Sequence, residues 1–340
     1  MSIDLKDFKV TESRSVDFLN EANKVIVGHT RELASVFACL LADGHASLVT
    51  MPGLGKTLIA KVVQAGIEGC LRGRIQMVPD MRPSDITGYN IETATGREFR
   101  PGPMLKVNVL LIDEINRASP RVLSSLLQAL EERFLTIDGV RHDLEDIFIS
   151  VMTRNDFESA GTYELGDALK DRLLMDIEWG YPSDAEMDEI HSRAVLFDRD
   201  PESRIVPSLT ITDIRQMQKQ VRLLATDGVS PHLKQYITQL TQSCNPAKPQ
   251  FKQFKTIDGR SFEALVTYGG SPRMAMGLRK AAAAIAFMAG EDKVRVEHVQ
   301  AVFPDVARAH ILMGSLSKVG KHKVSINDFI DAVLRGTPAP

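Results

Sequence analysis

Cysteine is scarce. The 340 residues include three, Cys39, Cys70 and Cys244, an odd number with no paired spacing. A disulfide framework is excluded as the basis of the fold, and reduced thiols in a cytoplasmic protein are expected. Neither His-x-x-x-His nor Cys-x-x-Cys spacing occurs, so no zinc site is expected. Long apolar runs are also missing. The best candidate, Ala281 to Met288, falls far short of the ~20 residues of a membrane span and reads as a buried helix. The start of the chain, Met1 to Asp7, is polar and has no signal-peptide stretch. An excess of one charge is lacking too: 41 basic against 44 acidic residues leave a net charge of −3. Bulk charge therefore gives no support for nucleic-acid or anionic-membrane binding. Internal repeats and low-complexity runs are absent.

What is present suits a folded, soluble protein. Apolar residues at 44% and charged residues at 25% allow a buried core, and the length allows two domains. The most informative segment is Thr50-Met51-Pro52-Gly53-Leu54-Gly55-Lys56-Thr57. An apolar strand pattern, His45 to Val49, precedes it, and a helical pattern, Leu58 to Val63, follows. Strand, Gly-rich turn and helix N-terminus aim backbone N–H groups and a positive dipole end at phosphate. Lys56 would reach the β- and γ-phosphates, and the Thr57 hydroxyl would hold Mg²⁺. A second apolar strand, Leu110-Leu111-Ile112, ends in Asp113-Glu114. Asp113 is the expected Mg²⁺-associated carboxylate. The two segments in this order imply a nucleoside triphosphatase. The full motif opens with Gly, and Thr50 stands in that place; a β-branched residue there keeps negative φ. Nucleotide affinity is expected to change more than the identity of the site.

Helix and strand patterns alternate from about Val16 to Tyr181, which implies a parallel sheet with helices on both faces. Ser119-Pro120 predicts a helix start, and Asp138-Gly139 predicts a hairpin turn. A second hairpin is expected around Thr95-Gly96, after the unusual insert Asp80 to Gly88. After Gly180-Tyr181-Pro182 no further strands are expected. Ser183 and Glu186 form a capping box, and helices are predicted near Thr212, Ser230-Pro231, Ser271-Pro272 and Ser325. The segment from Cys244 to Arg260, with Pro246, Pro249 and several Lys, reads as a surface loop. The domain boundaries expected are 1–182 for a nucleotide-binding domain with hairpin inserts and 183–340 for a helical lid.

A series of blocks then resembles the MoxR family of AAA+ ATPases. It runs through Val27-Gly28, Pro52 to Thr57, Pro83-Ser84-Asp85-Ile86-Thr87-Gly88, Arg100-Pro101-Gly102-Pro103 and Asp113 to Ala118. It continues with Asn155, Gly161-Thr162-Tyr163, Asp171-Arg172, Gly180-Tyr181-Pro182 and Ser271-Pro272-Arg273, covering about Ile26 to Ile311. The resemblance implies an AAA+ P-loop α/β sheet flanked by helices, followed by a smaller all-helical lid. It implies ATP and Mg²⁺ as ligands. Pro52, Gly53, Leu54, Gly55, Lys56, Thr57 and Leu58 would form the phosphate turn and helix start, Val27 and Gly28 would line the adenine pocket, and Thr57 and Asp113 would attend the metal. Glu114 matches the base that polarises the attacking water, and Asn155 the residue that orients it. Arg172 matches the arginine finger that acts on a neighbour's nucleotide, and Arg273 the lid arginine that touches the γ-phosphate.

Arg172 also suits a surface ion pair, whereas Arg273 sits at a helix N-terminus, where a cation is disfavoured and an anionic partner is expected. Arg117 and Arg121 could also face a neighbour's nucleotide, but a solvated helix start is the preferred reading. The chain departs from the family at His29, where Gln is usual after Val-Gly. It departs again at Thr153-Arg154-Asn155-Asp156, where Thr-Gln-Asn-Pro is common, and at Leu165 to Leu173. The resemblance implies an ATPase ring, a hexamer, remodelling or maturing a client beside a protein with a von Willebrand factor A domain. The inserts 80–104 and 135–144 would face pore or client. The alternatives are a magnesium-chelatase-like motor subunit, a nucleic-acid-stimulated motor and a scaffold without catalysis. Slight acidity weighs against nucleic acid, and intact Lys56, Asp113 and Glu114 weigh against loss of catalysis.

Overall fold

A computed structural model of the chain describes residues 5–50, 54–94, 96–154, 166–194, 200–256, 259–314 and 324–340. Five strands form its centre: β1 (Ala46–Thr50), β2 (Arg72–Gln76), β3 (Val109–Asp113), β4 (Ile149–Arg154) and β5 (Met175–Trp179). They pair in parallel in the order β5–β1–β4–β3–β2. Parallel strands covered on both faces need apolar residues at consecutive positions, and every residue of β3 and β4 is buried. Alternate residues face opposite ways. Val109 and Leu111 of β3 join one apolar cluster with Leu48, Val151 and Ile177. Leu110 and Ile112 join the other with Ile75 and Met152. Helices Thr30–Leu41 and Lys56–Ala65 cover the first face through Val36, Phe37, Ile59 and Val62. Helix Pro120–Glu132 covers the second through Val122, Leu126 and Leu130. The chain's first strand thus has β5 on one side and β4 on the other. The crevice at its C-terminal end is where open α/β sheets bind ligands.

Both expected hairpins form. Phe134–Ile137 pairs with Val140–Asp143 across Asp138 and Gly139, at φ 49° and 79°, the left-handed backbone that a tight two-residue turn requires. Gly88–Thr93 pairs with Gly96–Pro101. The two hairpins touch: the Phe99 and His142 rings stack with centroids 4.2 Å apart, and Asn90 donates to Asp138 at 2.7 Å. At the foot of the second hairpin two strands of backbone meet closely. A Cβ on Gly102 would lie 2.2 Å from the Ile86 carbonyl oxygen, and one on Gly88 2.4 Å from that of Arg100. Only glycine fits there, so the Pro-Ser-Asp-Ile-Thr-Gly and Arg-Pro-Gly-Pro blocks are two sides of one contact.

After β5 the chain is mainly helical. Ser183 and Glu186 form the predicted capping box of helix Asp184–Ala194. Ser230, Ser271 and Ser325 cap helices Pro231–Ser243, Pro272–Met288 and Ile326–Gly336. Helix Ile211–Asp227 starts where expected, with Thr210 and Asp213 forming its capping box. Two details differ from the sequence reading. Short strands do occur late in the chain: Leu209–Thr210 pairs with Ile67–Glu68, and Val266–Tyr268 with Leu312–Met313. The segment read as a surface loop contains the 3₁₀ turn Pro249–Gln253, whose Phe251 is fully buried against Phe329.

These helices do not stand apart from the sheet. Their apolar residues continue the cluster on the β1 face, including Leu278, Ala281, Ala282, Val299 and Val306. Polar bonds join the same elements. Arg31 pairs with the buried Asp305 at 2.8 Å, and Gln218 donates to the Leu40 carbonyl at 2.8 Å. Arg308 donates to the Asp176 carbonyl of β5 at 3.1 Å. Among the described residues no helix is long and apolar enough to cross a membrane.

Candidate nucleotide-binding site

Phosphate would meet the chain after β1. Gly55 precedes helix Lys56–Ala65 in left-handed backbone, φ 75°, and its carbonyl oxygen accepts from the Leu58 N–H at 2.9 Å. Pro52, Gly53 and the Lys56 side chain lie outside the described part of the structure. Thr57, in the first turn of the helix, places its hydroxyl 3.4 Å from Asp113 Oδ1. Asp113 ends β3, is 3% exposed, and draws partners from two further strands. Thr153 of β4 donates its hydroxyl to Oδ1 at 3.1 Å and accepts the Glu114 backbone N–H at 3.1 Å. Arg74 of β2 donates to Oδ2 through Nε at 3.0 Å. The sheet register explains this convergence, since β2 and β4 flank β3 and all three strands present their C-terminal ends together.

Glu114 follows immediately, with φ 55° in the left-handed region. The Arg117 guanidinium pairs with its carboxylate at 2.9 Å. Arg117, read as a solvated residue, is thus engaged at the candidate base. Thr57 and Asp113 offer hard oxygens close enough to share one ion. Mg²⁺ fits such a pair, because it keeps most of its waters and takes one or two protein oxygens plus phosphate. The described residues contain no cluster of three His, Cys, Asp or Glu that would make a protein cage instead.

On the base side, Val27 is buried and Gly28 has φ 66°, and a Cβ on Gly28 would lie 2.7 Å from Glu186 Oε1. The capping box of helix Asp184–Ala194 therefore abuts the Val-Gly turn. Ser183 holds the Glu186 carboxyl below the usual range by hydrogen bonding to it.

Asn155 lies outside the described residues. Arg172 and Arg273 are described, and the structure brings them together. Both guanidinium groups pair with Glu131, near the C-terminus of helix Pro120–Glu132. Arg273 also pairs with Asp171 at 2.8 Å, and His310 Nδ1 lies 3.1 Å from the other oxygen of Asp171. His310 and then Arg273 hold the Asp171 carboxyl below its ordinary range. The anion expected for Arg273 is thus present in the chain itself, as Asp171 and Glu131. Arg74, Thr153 and Glu131 escaped the sequence reading. Arg74 and Thr153 precede the ends of their strands by two and one residues, and only the pairing register reveals that they reach Asp113.

The Chaperone MoxR1 of Mycobacterium tuberculosis is 33% identical over 295 residues, covering 86% of this chain and 74% of that protein. The chain belongs to the MoxR family of AAA+ ATPases. The profile of the ATPase family associated with various cellular activities matches residues 45–175 of this MoxR-family protein, and that of the AAA lid domain residues 262–324. Protein MoxR of Methylorubrum extorquens is 28% identical over 335 residues, covering 95% of this chain and 94% of its own. The uncharacterized protein YeaC of Bacillus subtilis is 36% identical over 285 residues, covering 83% and 82%. A crystal structure from Cytophaga hutchinsonii, of a protein assigned as an ATPase, superposes with a TM-score of 0.85 at 25% identity, covering 98% and 97%. The AAA+ sheet with a C-terminal lid, expected from the sequence, is the fold observed.

Proposed function

We propose that this MoxR-family protein hydrolyses ATP with Mg²⁺ in a homo-oligomeric ring of six subunits, and that turnover remodels or matures a client protein complex. The observation that carries the reading is the hydrogen-bonded line Thr57–Asp113–Thr153–Glu114 at the C-terminal edge of the sheet, beside the P-loop helix. Mg²⁺ would supply charge neutralisation to the phosphates there. Thr57 and Asp113 hold it, and Lys56 and the backbone of residues 53–57 hold the phosphate oxygens. Glu114 takes the proton of the attacking water and Asn155 orients that water. Arg117 must yield its hold on Glu114 for this to happen.

Arg172 and Arg273 share Glu131, and among the described residues their bonds go to Glu131, Asp171 and the Ala168 carbonyl. We assign both to one nucleotide, that of the adjacent subunit, which makes assembly necessary for full activity. Tyr89 and Val140, 51% and 56% exposed on the two joined hairpins, suit contact with a client. A protein with a von Willebrand factor A domain is the partner this reading implies, in the cytoplasm and without nucleic acid.

The test is steady-state hydrolysis per subunit against protein concentration. A steep rise is expected. E114Q should lose ~10²–10⁴-fold in turnover while still binding ATP. A flat, finite rate for the wild type would rule out sites shared between subunits.

A further inference from the structure

The chain has one tryptophan, and it joins the two halves of the nucleotide site. Trp179 ends β5 opposite Thr50, the last residue of β1 before the phosphate turn. It is 4% exposed. Its indole N–H donates to the Leu54 carbonyl oxygen at 2.9 Å, inside that turn. Its ring stacks on His29, with centroids 3.9 Å apart and planes 21° from parallel. His29 directly follows Val27-Gly28 and itself takes left-handed backbone, φ 47°. One side chain therefore grips the phosphate turn by its edge and the base-side turn by its face.

We propose that Trp179 is a positioning residue that sets the phosphate turn against the Val27–His29 turn, and that its fluorescence reports nucleotide occupancy. The inference rests on the nucleotide-binding reading above. The physical basis is the planarity of the peptide unit. In a trans peptide the C=O of Leu54 and the N–H of Gly55 point in opposite directions. Anchoring the carbonyl on the buried indole fixes where the Gly55 N–H points, and such N–H groups are what a P-loop offers to phosphate. A buried indole N–H needs an acceptor, so the bond is held from both sides. The stack supplies the second constraint. A left-handed residue is least strained as Gly, yet the position carries a ring that lies flat on Trp179.

Calorimetric titration of the full chain with Mg·ADP, alongside Trp179 emission, tests this. The wild type should show a saturable emission change tracking the heat. W179F keeps a ring but loses the N–H, and should bind about five-fold weaker, the worth of one hydrogen bond, with a lower melting temperature because the smaller ring leaves buried space unfilled. H29G relieves the left-handed backbone and removes the stack; it should fold as well as the wild type yet bind about three-fold weaker. Equal affinity of W179F and the wild type overturns the proposal, whatever the emission does. Should W179F fail to fold, equal affinity of H29G overturns it. A wild type that binds no nucleotide overturns the nucleotide reading itself, and this inference with it.

Discussion

His45 lies wholly inside the seam between helix Pro120–Glu132 and the sheet. Its Nε2 is 3.1 Å from the Leu130 carbonyl, and its Nδ1 accepts the Ser150 N–H at 3.1 Å. Both bonds are made by the neutral ring, and a proton on Nδ1 would face another donor. Burial first, and then the Arg133 charge, push its pKa down from 6.5 to about 3. A folded pKa below the unfolded one means stability that is complete above pH 6.5 and lost as the pH falls toward 3. Each pH unit in that window costs about 1.4 kcal/mol. Urea unfolding of the wild type should therefore lose ~2 kcal/mol between pH 7 and 5 that H45Q does not lose. Parallel pH slopes for the two proteins would sink the assignment.

At this scale the sequence disclosed what motif spacing encodes. Thr57, Asp113 and Glu114 stand where a strand end and a helix start put them, and the structure brings Thr57 and Asp113 within bonding reach. Arg74, Thr153 and Glu131 stayed silent, because each acquires its role from a neighbour remote in sequence. The dipole argument for Arg273 was sound electrostatics, but it did not say that the anion lies in the same chain.

Among the elements, helix Ile326–Gly336 shows how one ring can anchor a segment. Phe329 is fully buried, with Phe262, Phe251 and Phe254 centroids at 4.9, 5.3 and 6.5 Å. F329A should cost ~3–5 kcal/mol in denaturant unfolding. A loss near zero would mean the helix is held by its capping box alone. The capping serines were legible because Ser-Pro or Ser-x-x-Asp marks a helix start whatever lies around it. The Phe251 turn was not. Its Pro and Lys residues look solvated in sequence, while Phe251 and Phe254, three apart, are turned inward by a partner near residue 329.

For the whole molecule, the shared Glu131 makes a prediction about mixtures. If Arg172 and Arg273 serve one neighbouring nucleotide, combining R172A with R273A subunits leaves every interface short of one arginine, and no activity returns. Combining E114Q with R172A should restore some, because a sound base then meets a sound finger at some interfaces. ATP turnover of the two mixtures distinguishes the cases: recovery in the first would place the arginines on different nucleotides. The parallel sheet was legible in the alternation of helix and strand, whereas the way the lid helices seat on it depends on contacts such as Arg308 with Asp176, which no local pattern announces.

The uninterrupted core beneath β1 has a genetic consequence. Leu278, Ala281 and Val306 close the same apolar layer that holds Leu48 and Ile59, the residues flanking the phosphate turn. A stop codon after β5 would leave every recognised ATP motif up to Gly180 translated, yet strip that layer bare. Such an allele should behave as a null for nucleotide binding, and its product should be cleared by proteolysis instead of acting as a trimmed ATPase.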